Sequence, residues 1–278
     1  MQVNSIEYYM VDTEKQSEME PVAAEGKRGR ILIAEDNEEI RTYMNNGLSS
    51  MYDIMLAKNG EEALKIAKEN ELDLIITDMM MPVMDGIKLC ASLKQDLSTS
   101  HISVIMLSAK AEKEDELNAL KSGADDFVAK PFSMSILKAK IGNILRTQYR
   151  LQNKVSKSME IDPEKISFNA MDETFLQRAI SIVERNLDNS EFSTEEFAQE
   201  MHMSRSNLHI RLKALTGESA LDFIRKIRFK EACRLLKDGR FSISEISDMV
   251  GFNTPSYFAT CFKKYMGCLP TEYVKNLK

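Results

Sequence analysis

Between residues 30 and 148, five short apolar runs alternate with five amphipathic stretches, and this alternation restricts the possible folds more than any other feature of the chain. The runs occupy residues 31–34, 52–57, 74–77, 104–107 and 127–129. The stretches with a helical period lie near 37–49, 60–70, 86–95, 111–122 and 134–148. Strands that are apolar along their whole length have no face to show to water, so helices must cover both sides of their sheet. Strand and helix in strict alternation predict a doubly wound α/β fold with a five-stranded parallel sheet, flavodoxin-like in layout. Ligands of such sheets bind beyond the carboxyl ends of the strands. That rim is where chemically active side chains are expected.

The rest of the chain reads differently. Residues 1–28 are acidic and poorly periodic and are predicted to be a linker. Residues 29–150 form the α/β domain. A polar connector containing Asp162-Pro163 is expected over 151–170, and from 171 to 278 only the helical period is present. Ser193 with Glu196 fits a capping box ahead of Phe197, Ala198 and Met201. Ser204 is a candidate N-cap for a helix carrying Leu208, Leu212 and Leu215 and ending at Gly217. After a longer helix near 219–237 the theme returns: Ile243, Ile246 and Val250, then Gly251-Phe252, then Phe258 and Phe262, with a stop at Gly267. This weak duplication predicts an all-α domain with two helix-turn-helix units.

The net charge of -6 hides a division. Residues 1–170 carry 21 Lys+Arg against 28 Asp+Glu, and residues 171–204 carry 2 against 8, whereas residues 205–278 carry 14 against 7. A basic last quarter suits a segment that faces phosphates, although a solvated basic face would leave the same count. No apolar run of roughly 18 residues occurs, so no contact with a membrane is expected. Residues 1–10 lack the basic start and apolar core of a secretory signal. The four cysteines form no CxxC pair, and three lie in helical apolar patterns. They read as free thiols in a reducing compartment, which predicts a cytoplasmic protein. None of the three histidines is spaced for a metal site.

Five polar residues fall at or just past strand ends. Glu35 and Asp36 follow the first strand, Asp78 ends the third, Ser108 follows the fourth and Lys130 follows the fifth. A parallel sheet gathers them on one rim. Three carboxylates there repel one another, and a hard divalent cation such as Mg²⁺ resolves the conflict. A cation held by Asp36 and Asp78, with Glu35 acting through water, leaves one Asp78 oxygen free to attack phosphorus. Lys130 then neutralises charge on the transferred phosphoryl group, and Ser108 hydrogen-bonds to it. A phosphatase of the same sheet type would also use an aspartate nucleophile with Mg²⁺, but it wants a second acid two residues on, where this chain has Met80. A phosphate sink with a structural helical tail is a third reading.

At these residues the chain resembles the response-regulator receiver family. Asp78 and Ser108 are 30 residues apart, and Ser108 and Lys130 are 22 apart. The 79–86 segment, with Pro82 and Asp85-Gly86, is similar to the loop after the family's phosphorylated aspartate. Gly123-Ala124-Asp125-Asp126-Phe127 and Lys130-Pro131-Phe132 are similar to its fifth-strand signature. The resemblance covers residues 30–148. It implies that Asp78 is the phosphorylation site, supplied by a histidine kinase, and that Glu35, Asp36, Asp78 and the Met80 carbonyl hold Mg²⁺. It further implies that Ser108, Lys130 and Phe127 form the switch, with Phe127 as the turning aromatic, and that the 130–131 peptide is cis. The implied output is a homodimer formed on phosphorylation through the fourth and fifth helices of this domain.

Residues 171–278 resemble the AraC family of transcription regulators. The matching residues include Ala198, Met203-Ser204, Leu208, Lys213, Gly217, Ile224, Arg228, Ala232, Leu235-Leu236, Ile243 and Ile246. Val250-Gly251-Phe252, Ser256, Phe258, Phe262-Lys263, Gly267 and Pro270 continue the match. The resemblance implies two recognition helices that enter major grooves of double-stranded promoter DNA. On the first, Arg205, Ser206, His209, Ile210 and Lys213 are expected outward. On the second, Pro255, Ser256, Ala259 and Thr260 are expected to face bases, with Lys263 and Lys264 nearer phosphates. Many relatives carry arginine where this chain has Ile210, so no arginine contact to guanine is expected there. A receiver followed directly by an AraC-type domain is similar to the C-terminal part of hybrid two-component regulators, in which sensor, kinase and receiver share one polypeptide. A free-standing regulator fits the residues equally. Either way the expectation is a phosphorylation-dependent DNA-binding transcription regulator rather than a dedicated enzyme.

Overall fold

The computed structural model describes residues 28–109, 121–157, 161–166 and 170–276, which fall into two compact units divided between Leu151 and Gln152. The helix expected near 111–122 and the linker expected over 1–28 lie almost wholly outside the described residues.

In the first unit the strands are β1 (Arg30–Ala34), β2 (Asp53–Ala57), β3 (Leu74–Asp78), β4 (Ser103–Ser108) and β5 (Asp126–Ala129). The described helices are α1 (Glu38–Leu48), α2 (Gly60–Glu69), α3 (Gly86–Gln95) and α4 (Met134–Lys157). All neighbouring strands run parallel, in the order β2-β1-β3-β4-β5. This is the predicted flavodoxin-like sheet. Side chains alternate between its faces. Ile31, Ile33, Leu74, Ile76, Ile105 and Leu107 pack with Met44 and Leu48 of α1 and with Leu137, Ile141 and Leu145 of α4. Leu32, Ala34, Ile75, Val104 and Met106 pack on the other side with Ala63 and Ala67 of α2 and Leu89, Cys90 and Leu93 of α3. Each fully buried Leu or Ile contributes about 1.5–3 kcal/mol over leaving it exposed. The two-sided core therefore explains why the strands read as unbroken apolar runs. Because β1 lies between β2 and β3, the winding direction reverses there, and the crevice opens at the carboxyl ends of β1 and β3.

Helix α4 runs to Lys157, into the connector expected over 151–170. No proline or glycine interrupts the chain between Gly142 and Pro163, so nothing stops the helix locally. Val155 near its end joins the core of the second unit beside Phe175 and Leu176.

The second unit is helical throughout its described residues: α5 (Pro163–Ile166), α6 (Ala170–Arg185), α7 (Thr194–Glu200), α8 (Arg205–Thr216), α9 (Ala220–Asp238), α10 (Ile243–Met249), α11 (Pro255–Met266) and α12 (Pro270–Lys275). The α7/α8 and α10/α11 pairs form two helix-turn-helix units with matching local chemistry. Ser193/Glu196 and Ser242/Glu245 are both complete capping boxes. Gly217 and Gly267 both close a recognition helix in the left-handed region, their N–H groups donating to the Lys213 and Lys263 carbonyls at 2.9 Å. Helix α9 serves two cores. Phe223, Ile224 and Ile227 pack with Leu208, Leu212 and Leu215 of the first pair. Phe229, Ala232 and Leu236 pack with Ile246, Phe252, Phe258 and Phe262 of the second. One helix thus carries both units.

Candidate functional site

The carboxyl rim of the first unit begins with β1. Its hydrogen-bond ladder ends with Glu35, whose N–H donates to the Ala57 carbonyl at 3.2 Å. Asn37 then caps α1, accepting from the Glu39 and Ile40 amides. The two acids between strand and cap therefore have little freedom. Asp78 is the last residue of β3 and is held in register by the next N–H, from Met79 to the Leu107 carbonyl at 2.8 Å. Gly86, at the start of α3, lies against this strand end so closely that a Cβ there would sit 2.1 Å from the Asp78 carbonyl oxygen. Only glycine lets the loop and helix close over the strand end. Val83 in that loop has φ 68°, a strained conformation for a β-branched residue.

Glu35, Asp36 and Asp78 each present a carboxylate oxygen within 4.8 Å of the others. Glu35 and Asp78 are buried, and Asp36 is exposed. Lys130 Nζ lies 2.7 Å from Glu35 Oε2 and 2.9 Å from Asp78 Oδ2. Burial pushes the Glu35 carboxyl above its ordinary range, and the Lys130 charge opposes this without cancelling it. Burial alone would lower Lys130, but the carboxylates of Asp78 and Glu35 outweigh it and hold the ammonium above its usual value. Lys130 therefore stays protonated in the middle of the acids. Its backbone N–H donates to the Ser108 carbonyl at 2.6 Å, and the 130–131 peptide is cis.

Ser108 is buried at the end of β4. Phe127 is half-buried on β5, in register with Met106. The Met80 side chain is 72% exposed beside the rim. One participant was missed in the sequence. Arg41, buried on α1, donates to the carbonyl of Glu35 at 2.6 Å and of Asp36 at 3.3 Å. A basic residue within the apolar stripe of α1 is the mark it leaves.

In the second unit Leu208, Leu212 and Leu215 are buried, as are Phe258 and Phe262. Arg205 and Ser206 are exposed, and His209, Ile210 and Lys213 are half-exposed. Arg205 already pairs with Glu195 of α7. Pro255, Ser256, Thr260, Lys263 and Lys264 are exposed, and Ala259 is half-exposed. The basic excess of this region is partly internal. Arg211, Lys226 and Arg228 are buried. Arg211 meets Asp172 and Lys226 meets Glu218, both at 2.9 Å, and Arg228 donates to the Gly251 and Asn189 carbonyls.

A doubly wound sheet with an acidic trio and a lysine at its crevice, followed by two helix-turn-helix units, is the layout of a receiver domain joined to a helix-turn-helix domain. Residues 31–142 match the family of the response regulator receiver domain, and residues 197–276 match that of the helix-turn-helix domain. The chain carries a receiver domain and an AraC-type helix-turn-helix domain, both of regulatory rather than catalytic families. It is 39% identical over 255 residues to Histidine kinase P4 of Formosa agariphila, covering 92% of this chain and 19% of that protein. It is 42% identical over 118 residues to the alkaline phosphatase synthesis transcriptional regulatory protein PhoP of Bacillus subtilis, covering 42% of this chain and 49% of that one. Similarity to the sensor histidine kinase TmoS of Ectopseudomonas mendocina is 33% over 143 residues, 51% of this chain and 15% of that one. The chain thus spans about a fifth of the first of these relatives and about half of the second. Among the described residues no helix is long and apolar enough to cross a membrane.

Proposed function

We propose that Asp78 accepts a phosphoryl group from a phosphohistidine kinase and that this controls pairing of the chain and its grip on promoter DNA. The observation that supports the reading best is the convergence of Glu35, Asp36 and Asp78 within 4.8 Å, with Lys130 bridging two of them. Three carboxylates are hard oxygen donors of the kind Mg²⁺ prefers, and they leave coordination positions for water and phosphate. Glu35, Asp36, Asp78 and the Met80 carbonyl would hold the ion, which supplies neutralisation of phosphoryl charge when bound. Asp78 provides the attacking oxygen, Lys130 balances charge on the incoming group, and the Ser108 hydroxyl donates a hydrogen bond to it. Engagement of Ser108 draws the end of β4 inward and gives Phe127 room to turn in. A population shift of this sort needs only a few kcal/mol of differential contact.

Phosphorylated copies then pair through the surface that includes the start of α4. Arg205, Ser206, His209, Ile210, Lys213, Ser256, Ala259, Thr260, Lys263 and Lys264 serve as contacts to duplex DNA. The similarity to Histidine kinase P4 across 92% of the chain supports a kinase within the same polypeptide in the cytoplasm. Acetyl phosphate with Mg²⁺ should add one phosphoryl mass at Asp78, and Asp78→Asn should abolish it. A label on another residue, or no label, would refute the proposal.

A further inference from the structure

We infer that Arg225, oriented by the Tyr257 hydroxyl, is a phosphate contact beside the second recognition helix. The inference rests on the DNA-binding reading and adds to it two residues that the pattern of outward positions on α8 and α11 did not single out. Tyr257 is a large aromatic left half-exposed in the first turn of α11. Its ring lies 6.0 Å from that of Phe252, and its hydroxyl accepts from Arg225 Nη2 at 3.0 Å. Tyr257 stands one turn before Thr260 and two before Lys264, so the three share one side of the helix. Arg225 comes from α9, the helix that links the two helix-turn-helix units, and its guanidinium is thereby held at the flank of the exposed face of α11.

The other arginines from residue 205 onward are more firmly paired. Arg205, Arg234 and Arg240 each meet a carboxylate at 3.1 Å or less, and Arg211 does so in the interior. Arg228 is committed to two backbone carbonyls. Arg225 is held by a neutral hydroxyl and by a looser ion pair with Asp222, whose Oδ1 is 3.7 Å from Nη1 and outside hydrogen-bond range. A guanidinium carries five N–H donors in a planar fork that matches phosphate oxygens. With one donor directed at Tyr257 and none hydrogen-bonded to Asp222, most of the fork remains for an anion. Arg228 lies nearby, and burial, with a smaller part from the Arg225 charge, holds it below its ordinary value. A phosphate at Arg225 would relieve that repulsion. Two recognition helices that enter successive grooves also leave a stretch of sugar-phosphate backbone between them.

The test uses the whole chain, a mixed-sequence DNA duplex and fluorescence anisotropy over a range of KCl concentrations, with thermal unfolding run in parallel. Arg225→Gln should weaken binding and flatten the slope of log affinity against log salt by about 0.9, the value for one lost phosphate contact. Arg225→Lys should restore the slope, because the charge returns. Tyr257→Phe keeps the ring on Phe252 but releases the guanidinium, and should weaken binding without changing the melting midpoint. If Arg225→Gln keeps the wild-type slope, whether or not it melts earlier, the pair is only a brace and the inference falls. If the wild-type chain shows no salt-dependent binding, the DNA-binding reading falls and takes this inference with it.

Discussion

Residue 202 is a histidine in a backbone conformation that favours glycine. His202 has φ 57° in the turn between α7 and α8, and the equivalent turn between α10 and α11 has Gly251 at φ 70°. The left-handed region costs an L-residue roughly 1–2 kcal/mol, part of which a glycine returns as extra freedom in the unfolded chain. His202→Gly should therefore raise the free energy of unfolding by up to about 1 kcal/mol in a urea titration. Gly251→Ala should do the reverse, by roughly 1–3 kcal/mol. Its new Cβ would lie 2.4 Å from the Leu187 carbonyl oxygen, which is backbone and cannot move aside. Thiols give a second residue-scale outcome. All four cysteines are free, and burial pushes the Cys90 and Cys233 thiols above their ordinary value. Only the thiolate reacts. Iodoacetamide at neutral pH should leave both unmodified in the native chain and label them once urea unfolds it. Rapid native labelling of Cys90 would contradict its place in the core.

At the scale of elements, α6 and α8 are joined by charge as well as by apolar packing. Arg211 lies on the buried side of the first recognition helix, 2.9 Å from Asp172 of α6 and 4.5 Å above the Phe175 ring, and the side chains of both partners are fully buried. Removing one member of such a pair strands the other charge at low dielectric, at about 3–5 kcal/mol, whereas an apolar pair of similar volume is often nearly neutral. Asp172→Ala should lower stability by that amount, and the double variant Asp172→Leu with Arg211→Met should recover most of it. Equal losses in the single and double variants would show that the ion pair adds net stability of its own.

For the whole molecule, the proposed metal site can be tested through folding. Asp36, Asp78 and Glu35 bring like charge together only when β1 and β3 are side by side, so the unfolded chain has no equivalent site. A ligand that binds only the folded form stabilises it by mass action. Millimolar Mg²⁺ should raise the melting midpoint of the first unit, and Asp78→Asn should blunt the rise. Identical midpoints with Mg²⁺ and with EDTA would remove the metal from the account.

Much of this could be read from residues in order, because the forces behind it act locally. Strand and helix periods follow from which side of a backbone each Cβ occupies. Ser193, Ser204 and Gly217 cap or close helices through bonds within three or four residues. Glu35, Asp78 and Lys130 were legible as a group because strand ends in a parallel sheet must share a rim. What depended on tertiary structure was the fate of each charge. Arg41 is spent on two carbonyls of the rim, and Arg211, Lys226 and Arg228 are interior although they count as basic surface in the sequence. Val155 is part of the second unit's core although it lies in the stretch read as a polar connector. A charge count is a sum over residues, whereas desolvation and pairing depend on what folding places beside each one.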